Sequence, residues 1–314
     1  MKLRHRIEYT ATIALLGLCR RLPERMAYAI SHGITMLVYH LLGSRRKLTL
    51  RNLEIVFPGK TPAERKKMAK QSYANFAESM AFNTLMMTDR FSNQELIDSI
   101  EVEGWENFEE AKRLTGKKGL LIFSAHIGNW ELLPQYAALR LDTPLHIISR
   151  KTANPLLEER IVRPLRERFG VEVFHKKNAL MRIVKVIKKG EYAGFQIDQK
   201  LNPPEGIFIK FFGREAPTLA SPALLQVRFG VTVLPVFMVK PENGKHLLVI
   251  REPIKWEDNG QSMEEQIIEL TYIHQKAIEE IILEYPEQWF WMHNRWGLKK
   301  GEQRSIAKQV QKVN

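Results

Sequence analysis

From Gly119 onward, short apolar runs alternate with stretches whose apolar residues recur at helical spacing. Leu120-Leu121-Ile122-Phe123, Leu145-His146-Ile147-Ile148, Val171 to Phe174 and Ala193 to Ile197 read as short buried strands. Helices are predicted after Asn129, over Pro155 to Phe169 and over Ala179 to Lys189. Strands that alternate with helices predict an α/β fold with a mostly parallel central sheet flanked by helices. The apolar runs Ile207 to Phe212, Val231 to Val239 and Leu247 to Ile250 are expected to extend that sheet, and Gln261 to Glu284 to form a closing helix.

Pro58 to about Leu114 is helical and polar-rich in pattern, opened by the helix-start signal Thr61-Pro62-Ala63-Glu64 and broken near Asp89 and Gly104. Before it lie two uncharged runs, Tyr9 to Cys19 and Met26 to Ser44. The first is well short of the roughly 20 apolar residues that a spanning helix needs, and the second carries Ser31, His32, Thr35 and His40. The basic start at Lys2, Arg4 and Arg6 resembles a secretory signal, but Arg20, Arg21 and Pro23 follow where a small-residue cleavage site belongs. Ile30, Ile34, Leu37, Val38, Leu41 and Leu42 keep helical spacing, with Arg20-Arg21 and Arg45-Arg46-Lys47 at the ends. Two readings stay open: a helix pair lying in a membrane interface, or two amphipathic helices packed on the domain. The chain thus divides into membrane-associating helices at 1–48, an α/β domain at 49–298 and a basic tail at 299–314.

Charge adds a class of partner. Lys plus Arg number 48 against 35 acidic residues, a net charge of +13 that favours anionic lipid headgroups, nucleic acid or an acidic protein. The basic residues are dispersed and no helix-turn-helix, zinc-finger or RNP pattern occurs, so nucleic acid is not expected. A single cysteine, Cys19, excludes a disulfide framework and suits a reducing compartment. No metal site is expected, because the histidines form neither HExxH nor a Cys/His pair. Ala29-Ile30-Ser31-His32-Gly33 lacks the first glycine of a nucleophile elbow and does not follow a strand.

Chemistry concentrates in Ser124-Ala125-His126-Ile127-Gly128-Asn129-Trp130-Glu131, a strand-to-helix turn of the kind where ligands collect in open α/β sheets. Gly128 permits a tight turn, Asn129 can cap the helix and Glu131 falls in its first turn. If His126 stays on the loop, Glu131 can reach it. A carboxylate on one imidazole nitrogen leaves the other as a general base, able to deprotonate an acceptor hydroxyl for attack on an activated acyl group. The competing reading is a capping histidine beside a solvated glutamate, since this spacing is common by chance.

Other blocks narrow the choice. His126-Ile127-Gly128-Asn129-Trp130-Glu131 resembles the HxGNWE signature of the late acyltransferases of lipid A biosynthesis, of the Kdo-lipid IVA lauroyl/myristoyl transferase type within the lysophospholipid acyltransferase superfamily. Arg51-Asn52-Leu53 with Phe57-Pro58, Arg150 with Asn154-Pro155, Asp198-Gln199, Gly206 to Gly213 and Trp291 to Trp296 resemble further blocks of that family in order. The resemblance implies a glycerol-3-phosphate acyltransferase-like fold. It also implies fatty acyl transfer from acyl carrier protein, or from acyl-CoA, to a hydroxyl of a lipid A precursor at the cytoplasmic face of the inner membrane. His126 would be the base and Glu131 its partner, while Gly128, Asn129, Arg150, Asp198 and Arg295 would contact substrate. No cofactor or metal is implied. The chain departs from the pattern at Lys210, Asn294 and the loop Asn202-Pro203-Pro204, positions expected to border the acceptor. A lysophospholipid, glycolipid or aminolipid acceptor is therefore an alternative, as is a non-catalytic basic protein of the membrane surface.

Two clusters have double readings. Trp289, Trp291 and Trp296 near Lys299, Lys300, Arg304 and Lys308 fit either an interfacial belt with a polybasic tail or core tryptophans with a solvated helix. Arg160, Arg163, Arg166 and Arg168 with Lys176 and Lys177 fit a docking site for lipid phosphates or an acidic carrier protein, or a solvated face.

Overall fold

The computed structural model describes residues 3–149, 151–175, 179–242 and 244–297. Four helices lead: α1 (Leu3–Arg21), α2 (Glu24–Leu41), α3 (Gly43–Val56) and α4 (Pro62–Met87). α4 starts where the sequence signal lies, with Thr61 and Glu64 capping each other's backbone N–H and Pro62 in the first turn. α5 (Asn93–Asp98), β1 (Ile100–Glu103), α6 (Trp105–Thr115), β2 (Leu121–Ser124), α7 (Leu132–Arg140) and β3 (Leu145–Ser149) follow. After them come α8 (Pro155–Leu157), α9 (Arg163–Glu167), β4 (Glu172–His175), α10 (Ala179–Lys188), β5 (Tyr192–Gln196), β6 (Gly206–Phe211) and β7 (Arg214–Leu219). α11 (Ser221–Phe229), β8 (Val233–Val239), β9 (His246–Ile250) and α12 (Met263–Glu284) complete the order.

Seven strands form one sheet in the order β1-β9-β8-β2-β5-β3-β4, and only the β8–β9 pair is antiparallel. β2 and β8 are buried at every residue, as a sheet covered on both faces requires. Successive residues of β2 feed opposite cores: Leu121 and Phe123 pack with α3, α10, α11 and α12, whereas Ile122 packs with α5, α6 and α7. α4 joins both, giving Tyr73 to the first core and Phe82 and Met86 to the second. The α/β expectation thus holds, with three differences in detail.

The apolar run at Ile207 to Phe212 does not extend the main sheet. β6 pairs with β7 in a separate hairpin, closed by Phe212 and Gly213, both at positive φ, which is the two-residue turn geometry that matches strand twist. β1 lies inside the stretch expected to be helical; its four residues, Ile-Glu-Val-Glu, pair with β9 and are too few to show a period. The helix expected over Pro155 to Phe169 is interrupted by a π-turn at Glu158–Val162. Pro164 cannot donate to the Arg160 carbonyl, so the ladder widens just before it.

α1 and α2 pack against α4 yet leave apolar side chains outside. Leu3, Ile7 and Leu18 on α1, and Ile34, Leu37 and Leu41 on α2, are about half exposed or more. The helices are therefore packed on the domain, and an apolar face of the pair remains exposed. No described helix is long and apolar enough to cross a membrane. α3 runs continuously through residues 48 and 49. The basic tail at 299–314, Lys176 and Lys177 lie outside the described residues.

Candidate active site at the strand ends

β2 ends at Ser124, and the chain must then reverse over the sheet edge before α7 begins. Gly128 makes the reversal with φ +56°, and a Cβ there would fall 2.1 Å from the Met238 carbonyl oxygen, so no other residue fits without displacement. The turn is pinned from three sides. The Gly128 N–H donates to Gln288 O at 3.0 Å, the Asn129 N–H to Met238 O at 3.0 Å, and the Phe290 N–H to His126 O at 2.8 Å. The Ser79 hydroxyl on α4 donates to the Gly128 carbonyl at 3.2 Å.

β5 is the direct parallel neighbour of β2, and the Ile197 N–H donates to Ser124 O at 3.2 Å, so the residues just past the two strands meet. Those residues are His126 and Asp198. Asp198 Oδ1 lies 2.7 Å from His126 Nδ1, and Oδ2 accepts from the His126 backbone N–H at 2.9 Å and from the Trp289 indole N–H at 2.8 Å. Burial at 1 % exposure would by itself raise the Asp198 carboxyl. The His126 charge and the three hydrogen bonds outweigh it and hold the group at about 2. An ionised carboxylate only accepts, so the proton of a neutral His126 sits on Nδ1 and its Nε2 lone pair is left for chemistry. Nε2 has no partner among the described residues, and the side chain is 16 % exposed. Trp130 packs beside the imidazole at 5.3 Å between ring centroids and stacks on Phe76 of α4 at 6.0 Å.

Glu131 takes a different partner from the one expected. Its carboxylate binds Arg166 of α9 through both oxygens, at 2.6 Å from Nη2 and 3.1 Å from Nε, and Arg166 Nη1 also donates to Ser149 Oγ at 2.5 Å. The carboxylate on the imidazole is thus Asp198, 72 residues along the chain, instead of Glu131. Glu131 flanks α7 and does not lie within its first turn, while α7 has no side-chain cap. The Asn129 amide, expected as that cap, is buried with neither atom partnered among the described residues; its carbonyl accepts from Leu132 N–H at 3.0 Å.

The other expected substrate contacts sort clearly. Gly128 and Asn129 are buried and shape the turn. Arg295 is fully buried and donates to Pro217 O, Thr218 Oγ1 and Gln275 Oε1, with its guanidinium over Phe211. It ties the β6–β7 hairpin to α12 and presents no surface to a substrate. Burial pushes its guanidinium down to about 10. Arg150 lies outside the described residues. The tryptophans are core residues: Trp289, Trp291 and Trp296 are each at most 5 % exposed, which removes the belt reading.

Two features were missed by sequence reasoning. Asn52 donates to the carbonyls of Trp291 and His293 at 2.8 and 2.7 Å, tying α3 to the closing segment. His293 Nε2 accepts from the Lys200 N–H at 3.0 Å, just past Asp198. Burial lowers His293, Asp198 opposes this, and the charges of Arg295 and Lys200, with His126 when it is protonated, add to the lowering, leaving it at about 4 and neutral near pH 7. The one sequence signal for these contacts was the order of the blocks, because the partners are far apart in the chain.

This arrangement, an imidazole held by a buried carboxylate at the strand ends, is assembled from the same blocks that the sequence singles out. Residues 1–298 match the family described as bacterial lipid A biosynthesis acyltransferase. The lipid A biosynthesis lauroyltransferase of Escherichia coli (strain K12) is 24 % identical over 285 residues, covering 90 % of this chain and 89 % of that protein. The palmitoleoyltransferase of the same organism is 26 % identical with the same coverage, and the myristoyltransferase is 23 % identical over 252 residues, 79 % of this chain and 74 % of its own. These relatives are named for different acyl chains yet share one reaction type, and with the family match spanning nearly the whole sequence, this chain is an acyltransferase that belongs to the bacterial lipid A biosynthesis acyltransferase family.

Proposed function

We propose that the protein transfers a fatty acyl chain from an acyl carrier protein thioester to a hydroxyl of a lipid A precursor, with His126 as general base. The observation that carries this reading is the His126 imidazole fixed through Nδ1 by ionised Asp198, with Nε2 open at the strand ends. Nε2 takes the proton of the acceptor hydroxyl as its oxygen attacks the thioester carbonyl. The resulting imidazolium lies against the Asp198 carboxylate, which stabilises it. The tetrahedral intermediate then collapses, the C–S bond breaks, and the proton on Nε2 passes to the departing thiolate. Ester and free thiol are formed, and the enzyme returns to its starting protonation.

Glu131 acts in this scheme through Arg166. The Glu131 and Ser149 contacts fix a guanidinium at the carboxyl end of β3, where it meets a phosphate of the acceptor or the developing oxyanion. An apolar cavity of about 280 Å³ between α1, α2 and α4 suits an acyl chain. It is lined by Leu15, Ile30, Ile34, Val38, Phe76 and Met80, and Phe76 stacks on Trp130 beside His126. The exposed apolar faces of α1 and α2 support docking at the cytoplasmic face of the inner membrane, and the net charge of +13 favours both anionic lipid and an acidic carrier.

Mass spectrometry of membrane lipids from cells with and without the protein tests the reaction and names the acceptor through the gained acyl mass. The expected product is a lipid A species heavier by one acyl chain, absent when His126→Ala replaces the natural chain. Wild-type turnover by folded His126→Ala protein would remove the proposed base. A lysophospholipid product instead would move the same chemistry to another acceptor.

A further inference from the structure

Three tryptophans lie within the closing segment, and all three place their indole N–H in a hydrogen bond. Trp291 donates to the Pro286 carbonyl at 2.7 Å and Trp296 to the Phe211 carbonyl at 3.2 Å, contacts that secure backbone. Trp289 alone of the three donates to a carboxylate, and that carboxylate is Asp198. Its backbone is also engaged with the site: Trp289 forms an isolated antiparallel bridge with Ile127, and its neighbours Gln288 and Phe290 exchange backbone hydrogen bonds with Gly128 and His126. One segment therefore fixes the strand-to-helix turn through its main chain and the carboxylate behind the imidazole through one side chain.

We infer that Trp289 is a positioning residue of the acyl-transfer reaction, its indole N–H locking the Asp198 carboxylate in the rotamer that holds His126 Nδ1. The inference rests on the reading of His126 as general base. Asp198 Oδ2 has two donors, the His126 backbone N–H and Trp289 Nε1, and the backbone donor lies on the same residue as the imidazole. Among the described residues Trp289 is thus the one donor that references Asp198 to a separate part of the fold. Without it the carboxylate is held by His126 alone, through Nδ1 and the backbone N–H, and its angle about the Cβ–Cγ bond is less closely fixed. The aim of Nε2, which sets the rate once substrate is bound, then loosens. Substrate binding does not depend on this contact, because Trp289 is 1 % exposed.

The indole also packs on Phe211, Trp291 and Trp296, so the test must separate the N–H from the ring. Trp289 replaced by 3-benzothienylalanine keeps the bicyclic shape and exchanges the N–H for sulfur, while 7-azatryptophan keeps the N–H; Trp289→Phe is the simple companion. Full-length enzyme carrying each is assayed for thioester turnover across pH. The benzothienyl form is expected to lose about tenfold to a hundredfold in kcat, the factor of one charge-assisted hydrogen bond, with KM for the thioester unchanged. Its acid limb should move to higher pH, because a carboxylate with one donor fewer holds the imidazolium proton more tightly. The 7-azatryptophan form should retain the natural rate. Natural kcat and an unchanged pH profile in the benzothienyl form would overturn the inference, as would a loss confined to KM. Failure of the underlying reading looks different: His126→Ala would then still turn over, whatever position 289 does.

Discussion

The strand ends carry two carboxylates with opposite settings. Asp198 is buried, held at about 2 and surrounded by donors that belong to the fold, whereas Glu131 stands at the rim, about a quarter exposed, and shares a bidentate pair with Arg166. A buried acceptor fixed by three hydrogen bonds can orient what it binds and balance its charge, and it cannot reach out to a substrate. A partly exposed ion pair whose guanidinium keeps further N–H groups can still reach for an anion. In the proposed mechanism the inner region would therefore set the base and the outer region would meet the substrate, although both carboxylates border the same turn.

The sharpest way to break this division is to neutralise each carboxylate at constant shape. Asp198→Asn should lower kcat by about 10³ to 10⁴, because an amide donor facing Nδ1 forces the wrong imidazole tautomer. Steady-state assays on folded protein read this directly. If Asp198→Asn retained most of the natural kcat while Glu131→Gln abolished it, the roles would have to be exchanged.

Acid should withdraw the stability held by buried histidines and by Asp198 in a defined order. His293 and His246 are both held at about 4 against an ordinary 6.5, chiefly by burial, and Asp198 at about 2 against 3.8. Between pH 6.5 and about 4 the unfolded chain binds protons at the histidines that the folded chain refuses. Stability therefore falls with pH in that window, by on the order of 3 kcal/mol for each histidine. From 3.8 down to about 2 the Asp198 contribution is lost in turn. Urea unfolding at a series of pH values should show a monotonic decline, and His293→Gln should flatten its upper part. A stability maximum near pH 5 would contradict the assignment.

At the rim, Glu131→Gln should cost about tenfold to a hundredfold in kcat/KM, the scale of weakening one charge-assisted pair. Arg166→Gln should cost as much, and the double variant no more than either alone, since the two residues act as one unit. Additive losses in that cycle would separate Glu131 from Arg166 and return it to direct work on the imidazole.

The difference between the two carboxylates also marks what the chain discloses on reading. Local patterns are legible: the strands from Leu120 to Ile197 appear within a residue or two of their places, although β4 at the sheet edge buries only Val173, and Thr61-Pro62-Ala63-Glu64 opens α4 as read. His126, Glu131 and Asp198 all stand out as motif residues. Which carboxylate binds the imidazole does not, because five positions in sequence look closer than 72, and the adjacency of β2 and β5 that reverses this ranking is a property of the sheet order. Arg295 is misplaced for a related reason. An arginine in a conspicuous block reads as a ligand contact, and only the fold shows it fully buried, with Nη1 and Nη2 donating to Pro217, Thr218 and Gln275. β1 and the β6–β7 hairpin escape because four to six residues carry too little periodicity to reveal which strand they pair with.

The outer region extends to the helix pair α1 and α2, where the expected effects are smallest for any one residue. Leu37 and Leu41 on α2 are 56 % and 71 % exposed, and neither is needed by the core. If this face enters the acyl boundary of a membrane, each leucine removed from water contributes about 1.5 kcal/mol or more, so Leu37→Ser or Leu41→Ser should weaken partition into anionic vesicles about tenfold. Neither substitution should alter thermal stability, because the side chains already face solvent. Turnover of a soluble thioester should also be unchanged, because the His126 and Asp198 geometry does not involve α2. Unaltered partition in the double variant would assign these helices to packing alone, with α2 held by α4 and α1 by the Asn154 contacts to His5 O and Glu8 at 2.9 Å. A loss of partition at constant kcat would instead place the membrane contact wholly in the outer region and leave the base, its carboxylate and Trp289 as a unit that works without it.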